Sequence, residues 1–150
     1  MTSNLEWKIK RFNELSLDEL YNLLRLRSEV FVVEQNCVYQ DIDNKDAKAI
    51  HLIGQLENEI IAYARLFAAG DYFEDASIGR VVVAQKNRDE KHGHTLMREA
   101  IAAVQAYFKT QKITISAQLY LQKFYESHGF VVVSEVYLED DIEHIRMTRG

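Results

Sequence analysis

Three consecutive apolar runs between residues 50 and 83 constrain the fold of this chain more than any other feature. The first two, IHLIGQL and IIAYARLF, are separated by polar residues 57–59, and the third is SIGRVVV. Short apolar runs bounded by polar turns predict strands, and the composition of the third predicts burial on both faces. The third run passes through a charged junction into residues 94–108, where apolar side chains recur every three or four positions as in an amphipathic helix.

The segment before these runs adds a strand, a helix and a loop. WKIKRF (residues 7–12) alternates apolar and basic residues, which predicts a half-exposed strand. Ser16 and Glu19 form a capping-box pair that begins a helix extending to about Val32. Residues 36–49 are polar and irregular, which indicates a loop that could line a site.

The segment after the long helix completes an α/β or α+β pattern. KITISA predicts a short strand, LYLQKFYESHGF a short helix ended by Gly129, and the last residues a hairpin turning near Asp140 and Asp141. The predicted order is strand, helix, loop, three strands, helix, strand, helix and two strands. Such an order predicts one sheet with helices packed on it.

Length and charge exclude several classes of protein. A chain of 150 residues with 47% apolar residues supports one core, so residues 1–150 are predicted to form one domain. The net charge of −5 and the lack of a long basic run argue against a nucleic-acid binder. No run approaches the roughly 20 apolar residues that span a bilayer, and the opening stretch lacks the apolar core of a signal peptide, so a cytoplasmic protein is expected. Cys37, as the only cysteine, allows no internal disulfide.

The junction between the third run and the long helix is a candidate anion site. From Lys86 to Arg98 four lysine or arginine residues oppose Asp89 and Glu90, which reverses the overall sign of the chain. The first N–H groups of a helix lack intrahelical acceptors and lie at the positive end of the helix dipole. Gly93 lets the backbone approach a ligand closely. The alternative is a solvated strand-to-helix turn with an ordinary glycine.

Several segments together resemble the GNAT superfamily of acyl-CoA-dependent N-acetyltransferases, and in particular its ElaA-type branch. They are IGRVVV, RDEKHG with the helix after it, SAQLYLQKFYESHGF, EVFVVEQNCVYQDID and EDDIEHIRM. The superfamily signature is Arg or Gln, two residues, Gly, one residue, then Gly or Ala; here it is Arg88 to Gly93, with Lys91 in place of the first glycine. The resemblance implies a mixed, mostly antiparallel sheet of about seven strands, flanked by helices and splayed between the fourth and fifth strands.

The resemblance also implies a binding site for acetyl-CoA. The main chain of the third run would meet the pantetheine arm, the junction would bind the diphosphate, and Gln118 would touch the arm. Tyr125 would protonate the leaving thiolate, because a phenol with a pKa near ~10 is still protonated at neutral pH; the alternative for Tyr125 is a core aromatic. The implied donor-binding residues are Val81, Val82, Val83, Arg88, Lys91, His92, Gly93, His94, Thr95, Gln118 and Tyr125.

The acceptor half of the site is less defined by the sequence. An attacking ammonium must lose a proton to a base or to a water chain, and the candidates are Glu34, Asp43, His51, Glu139 and His144. We take Glu34 and His144 as the catalytic candidates, and the predicted substrate-binding residues are Arg27, Glu34, Tyr39, His51 and Arg65. Alternatives stay open: a hydrogen-bonded strand histidine for His51 and His144, a solvated carboxylate for Glu34, and a helix-face ion pair for Arg27. The spacing of these residues matches no recognised metal-ligand pattern, so no metal is expected.

The predicted function is transfer of an acetyl group from acetyl-CoA to a primary amine of a small molecule or protein, by direct attack in a ternary complex. Alternatives are a non-catalytic acyl-CoA sensor, a structural partner protein, and an acyltransferase similar to acyl-homoserine-lactone synthases. The identity of the amine is left open. The apolar stretch FVVVSEVYL could pair with a second copy of the chain, so a homodimer is also left open.

Overall fold

The apolar runs assemble into one eight-stranded sheet. The computed structural model describes residues 5–150, apart from the side chains of Asp89 and Glu90. Met1 to Asn4, the start of the opening stretch that lacks a signal-peptide core, lie outside the described residues. The strands are β1 Glu6–Arg11, β2 Ile50–Leu56, β3 Glu59–Phe67, β4 Ala76–Val83, β5 Ile113–Gln118, β6 Val131–Val132, β7 Tyr137–Glu139 and β8 Ile142–Arg149.

Three helices and one π-helical segment flank the sheet. The helices are α1 Leu17–Arg27, α2 His92–Phe108 and α3 Gln122–Glu126. The predicted capping box begins α1, since the Glu19 amide donates to Ser16 Oγ at 3.0 Å and the Ser16 amide donates to Glu19 Oε1 at 2.9 Å. The prediction of one α-helix to about Val32 is wrong in its second half, because α1 ends at Arg27 and the chain continues as the π-helical segment Ser28–Glu34.

The sheet is antiparallel except where β4 meets β5. Its order is β1-β2-β3-β4-β5-β8-β6, with β7 also paired to β8. The parallel pair β4 and β5 matches residues at only two positions, Ala76 with Ile113 and Ser77 with Thr114. Beyond these positions the two strands diverge. The predicted fold, with its splay between the fourth and fifth strands, is thus confirmed.

The sheet has eight strands because the first strand of the predicted final hairpin is divided into two short strands, β6 and β7. Val131 and Val132 pair with the end of β8, and Tyr137–Glu139 pair with its start. This arm is the edge of the sheet, and Val131, Val133 and Leu138 on it are exposed. Pairing of this edge with a second copy stays a prediction.

The two faces of the sheet bury different helices. Leu96, Met97 and Val104 of α2 pack on one face, in a cluster that includes Ala62 and Ala64 of β3. On the other face the cluster contains Leu23 and Leu26 of α1 with Ile61 and Tyr63, the alternate residues of β3. Because successive side chains of a strand point to opposite faces, the small residues of β3 let α2 pack closely on the sheet.

A β-bulge re-aims the middle of β4. Tyr63 pairs with Val82 and Arg65 pairs with Gly79, which leaves one additional residue in β4. Arg80 has a φ of +49°, in the left-handed region that non-glycine residues rarely adopt. The prediction that this strand is buried on both faces is wrong for its second half, because Val81 and Val83 are only half-buried beside the gap to β5. Within the described residues, no helix has the length and apolar content needed to cross a membrane.

Candidate functional site

The divergence of β4 and β5 opens a cleft of about 610 Å³. This volume is in the range of clefts that bind small ligands. One wall is β4 from Ile78 to Val83, and the opposite wall includes Ile115 and Gln118 of β5. The start of α2, the residues around α3, the π-helical segment and the turn between β7 and β8 complete the lining.

Four residues of the junction and of the first turn of α2 line this cleft. They are Arg88, Lys91, Gly93 and His94. Gln85–Glu90 form a 3-10 turn, and α2 begins immediately after Lys91. The positive end of a 17-residue helix and the cationic side chains therefore meet on one wall. These residues suit a diphosphate, which needs backbone N–H groups and positive charge at close range.

The space beside Gly93 is large enough for a Cβ atom. A Cβ atom at this position would meet Phe124 Cε1 at 3.6 Å, an ordinary van der Waals distance. Alanine therefore fits at the last place of the Arg88-to-Gly93 signature, as that signature allows. His92 and Thr95 do not line the cleft: His92 is buried, and Thr95 Oγ1 accepts a hydrogen bond from Arg98 Nη2 at 3.2 Å.

Tyr125 lies in α3 and lines the same cleft. Only 6% of its surface is exposed, and its ring makes edge contacts with Phe124 and Phe130 at centroid distances of 5.2 and 5.9 Å. Burial raises the pKa of the Tyr125 phenol well above its ordinary value. The hydroxyl therefore keeps its proton at neutral and mildly alkaline pH, as a proton donor must.

The π-helical segment and the residue after it connect both walls of the cleft. Glu34 accepts two hydrogen bonds from Arg88, from Nη1 at 2.5 Å and from Nη2 at 2.9 Å. The next residue, Gln35, exchanges hydrogen bonds of 3.2 Å with Gln118 of β5. Thus Glu34 is ion-paired to Arg88 of the junction, and Gln35 is hydrogen-bonded to Gln118 on the opposite wall. π-Helical turns occur frequently at functional sites.

A buried ion-pair network lies beside the cleft. Arg27 donates to Asp41 Oδ2 at 2.9 Å and to Asp46 Oδ1 at 2.7 Å. Arg65 donates from Nη1 to Asp46 Oδ1 at 3.0 Å and with both terminal nitrogens to Asp43. Through these contacts the loop between the π-helical segment and β2 is tied to α1 and β3.

The network occupies two of the predicted substrate-binding residues. Arg27 and Arg65 are almost fully buried and do not line the cleft. Arg80 of the β4 bulge does line it, and its Nε lies 2.7 Å from Asp41 Oδ1. Since arginine is always charged, three guanidinium groups and three carboxylates balance each other here.

His51 belongs to the same region and also lies outside the cleft. Its Nε2 is 2.9 Å from the Asp46 carbonyl oxygen, which can only accept, so Nε2 carries the proton and Nδ1 accepts from Tyr63 Oη at 2.6 Å. Burial lowers the pKa of His51 and keeps it neutral. Tyr39 does line the cleft, and its hydroxyl donates to Asp41 Oδ1 at 2.9 Å.

Of the two histidines among the candidate proton acceptors, His144 lines the cleft. Its Nδ1 lies 2.7 Å from the Ile142 carbonyl oxygen, so Nδ1 carries the proton and the lone pair of the neutral ring is on Nε2. Nε2 is 3.8 Å from Glu139 Oε2, and Glu139 accepts a hydrogen bond from Ser116 Oγ at 3.0 Å. A neutral ring of this kind can accept a proton.

The predicted residues that the cleft brings together are Glu34, Tyr39, Val81, Val82, Val83, Arg88, Lys91, Gly93, His94, Gln118, Tyr125 and His144. Sequence reasoning missed Arg80 and Ser116, because no motif marks a bulge or the diverging half of a parallel pair. It also gave Cys37 no role, although Cys37 lines the cleft. Among the described residues, no cluster of three or more His, Cys, Asp or Glu side chains suits a metal ion.

Comparison with known proteins assigns the family. The profile of the GNAT acetyltransferase domain matches residues 14–149. The protein ElaA of Escherichia coli is 44% identical over 147 residues, which cover 97% of this chain and 96% of ElaA. The chain therefore belongs to the GNAT family, in which acyl-CoA is the donor and an amine the acceptor, and it is an acyltransferase.

Solved structures agree with this assignment. An acyl-CoA N-acyltransferase from Pseudomonas aeruginosa superposes with a TM-score of 0.92 at 43% identity, covering 98% of this chain and all of that chain. The acyl-homoserine-lactone synthase LasI superposes with a TM-score of 0.75 at 14% identity, covering 98% of this chain and 90% of its own. The likeness to LasI is one of fold alone.

Proposed function

We propose that this protein transfers an acetyl group from acetyl-CoA to a primary amine by direct attack in a ternary complex. The observation that carries the proposal is that Tyr125, a buried phenol, lines the same cleft as the cationic start of α2. A diphosphate bound at that start leaves the acyl end of the donor further along the gap between β4 and β5.

The donor is bound mainly by backbone and charge. Arg88, Lys91 and His94 with the first turn of α2 receive the diphosphate, and Gln118 receives the pantetheine arm. The main chain of Val81 to Val83 offers hydrogen bonds to the same arm, because β5 does not pair with this part of β4. An N–H group of this strand directed at the thioester oxygen stabilises the negative charge that develops there.

The reaction needs one proton acceptor and one proton donor. His144 Nε2 takes the proton that the attacking ammonium must lose, the amine nitrogen bonds to the thioester carbon, and the carbon–sulfur bond breaks. Tyr125 gives its proton to the thiolate, and the nitrogen passes its second proton, directly or through water, to the Tyr125 phenolate, so that the products are a neutral amide and a thiol. Glu34, whose carboxylate is paired with Arg88 in the free protein, is not the first proton acceptor in this scheme.

The experiment that tests the proposal is Tyr125→Phe, with thiol release measured from acetyl-CoA in the presence of a panel of amines. We expect kcat to fall about 100-fold, the size of a general-acid contribution, while the affinity for coenzyme A measured by calorimetry stays the same. Tyr120→Phe is the matched control, since Tyr120 lines the cleft but is largely exposed.

Two outcomes contradict the proposal. Acetyl-CoA binding without thiol release for any amine indicates a non-catalytic acyl-CoA sensor. Equal rates for Tyr125→Phe and the unmodified protein would show that Tyr125 is not the proton donor. The proposed binding of the diphosphate at the start of α2 would not be affected.

A further inference from the structure

The arginines around the cleft are already neutralised, which limits the acceptors that can bind. Among the described residues that line the cleft, the arginines are Arg80 and Arg88, and each faces carboxylates of the chain at 2.5 to 2.9 Å. Arg27 and Arg65 are buried in their own ion pairs. Arg88 is the arginine that receives the diphosphate, so a carboxylate on the acceptor would have to displace Asp41 from Arg80, and breaking this largely buried pair is costly.

The turn between β7 and β8 has the opposite character. Glu139, the last residue of β7, and Asp140 of the turn itself line the cleft there. Within the described residues, the ion pair of Glu139 is with His144, and Asp140 forms no ion pair. These two carboxylates thus have no lysine or arginine partner among those pairs, unlike Glu34 at the other end of the cleft.

Neighbouring groups respond to this negative charge. Burial, and then the charges of Asp140 and Asp141, raise the pKa of the Cys37 thiol, whose Sγ lies 3.3 Å from the Asp140 carbonyl oxygen. Burial and the charge of Glu139 raise the pKa of Tyr72 in the same way. A cation bound at this end of the cleft would be attracted by the carboxylates of Glu139 and Asp140, which have no lysine or arginine partner among those pairs.

His144, the proposed proton acceptor, lies beside the turn that carries Glu139 and Asp140. Only 6% of its surface is exposed, it lines the cleft, and its Nε2 makes no hydrogen bond within the described residues. The Nε2 atom is 3.8 Å from Glu139 Oε2. A proton acceptor and two carboxylates without lysine or arginine partners therefore lie together at the acceptor end.

We propose that the acceptor is a diamine or polyamine, an amine whose carbon chain carries a second ammonium group. The second ammonium binds Glu139 and Asp140, while the first loses its proton to His144 Nε2 and its nitrogen forms the new bond to the acyl carbon. The carbon–sulfur bond breaks, the thiolate takes the proton of Tyr125, and the second proton of the attacking nitrogen passes to the Tyr125 phenolate, directly or through water. This inference rests on the proposed function, since it names the substrate class of the same cleft.

The test compares three amines of matched length with acetyl-CoA: cadaverine, its neutral analogue pentylamine and its anionic analogue aminovalerate. One to two exposed charge contacts predict a kcat/KM for cadaverine about tenfold above that for pentylamine, with aminovalerate lowest. The advantage should shrink as salt is added, because the contacts are partly exposed. Equal values for the three amines, or a preference for aminovalerate, overturn the inference.

Two variants and one control assign the effect to the turn. Glu139→Gln and Asp140→Asn should each lower the ratio of kcat/KM for cadaverine to kcat/KM for pentylamine about fivefold. Glu143→Gln should leave this ratio unchanged, since Glu143 is exposed on β8 and does not line the cleft. Turnover without discrimination contradicts this inference alone, whereas no thiol release with any amine contradicts the proposed function itself.

Discussion

Lys91 has a φ of +60° and a ψ of +24° at the point where the 3-10 turn Gln85–Glu90 meets α2. An L-residue in this left-handed conformation is strained by roughly 1–2 kcal/mol, and glycine is not. This is the position where the GNAT signature has its first glycine. The lysine therefore adds a charge to the cleft at a cost in backbone strain.

Lys91→Gly tests this exchange at the scale of one residue. We expect the melting temperature of the free protein to rise by about 2–4 °C, since removing about 1 kcal/mol of strain has this effect in a chain of this size. We expect the affinity for coenzyme A to fall about fivefold, because one cationic contact to the diphosphate is lost. Differential scanning calorimetry and titration calorimetry measure the two changes.

Lys109→Gly is the control for the same experiment. Lys109 has a φ of +57° at the carboxyl end of α2 and does not line the cleft. The substitution should raise the melting temperature similarly and leave coenzyme binding unchanged. Unchanged binding in Lys91→Gly as well would show that the lysine side chain does not contact the ligand.

The π-helical segment is the element that ties the cleft together in the free protein. Its last residue, Glu34, is bonded to Arg88, and the next, Gln35, to Gln118. A donor that binds Arg88 through its diphosphate must compete with Glu34. The segment is thus expected to loosen from the junction when the donor binds.

Glu34→Gln tests this competition by titration calorimetry with coenzyme A. We expect the affinity to rise about threefold, since a half-exposed ion pair that the diphosphate must break contributes less than about 1 kcal/mol. Glu29→Gln is the matched control, because Glu29 lies in the same segment and pairs with Arg25 at the surface. Weaker binding in Glu34→Gln would mean that Glu34 instead orients Arg88 toward the diphosphate.

At the scale of the whole molecule, the ion-pair network around Asp46 connects α1, β3 and the loop before β2. Asp46 receives hydrogen bonds from both Arg27 and Arg65. Asp46→Asn leaves two buried guanidinium groups with less opposing charge, so the free energy of unfolding should fall by about 3 kcal/mol. Urea unfolding measures it, with Asp71→Asn as the control because Asp71 is exposed. A loss below about 1 kcal/mol would show that the network does not need its central carboxylate.

The same network predicts how stability depends on pH. Burial alone would raise the pKa of Asp43, but the hydrogen bonds and charge of Arg65 outweigh it and lower the pKa to about 2. The unfolded chain, with a pKa near ~3.9, binds the proton first as the pH falls. Stability from Asp43 is therefore complete above pH ~4 and is lost as the pH falls toward ~2. Urea midpoints across this range should fall less steeply in Asp43→Asn than in the unmodified protein.

Local patterns predicted most of the elements and half of the site. The capping box at Ser16 and Glu19 and the apolar runs of β2 to β4 are local signals, and each begins or ends within a few residues of its prediction. The residues before α2 were found because the GNAT signature is also local. Arg27, His51 and Arg65 were placed with the acceptor from residue type, and their burial depends on partners up to 22 residues away.

The sequence by itself determined the fold class, the family and the cationic junction, because helix and strand periods and the signature lie within short stretches of chain. The tertiary structure alone decided which charged side chains reach the cleft. That choice depends on the divergence of β4 and β5 and on which carboxylate each arginine meets. The ion pairs that fix Arg27, Arg65 and Arg80 join residues far apart in the chain, while Glu139 and Asp140 come to the cleft through the sheet order β5-β8-β7.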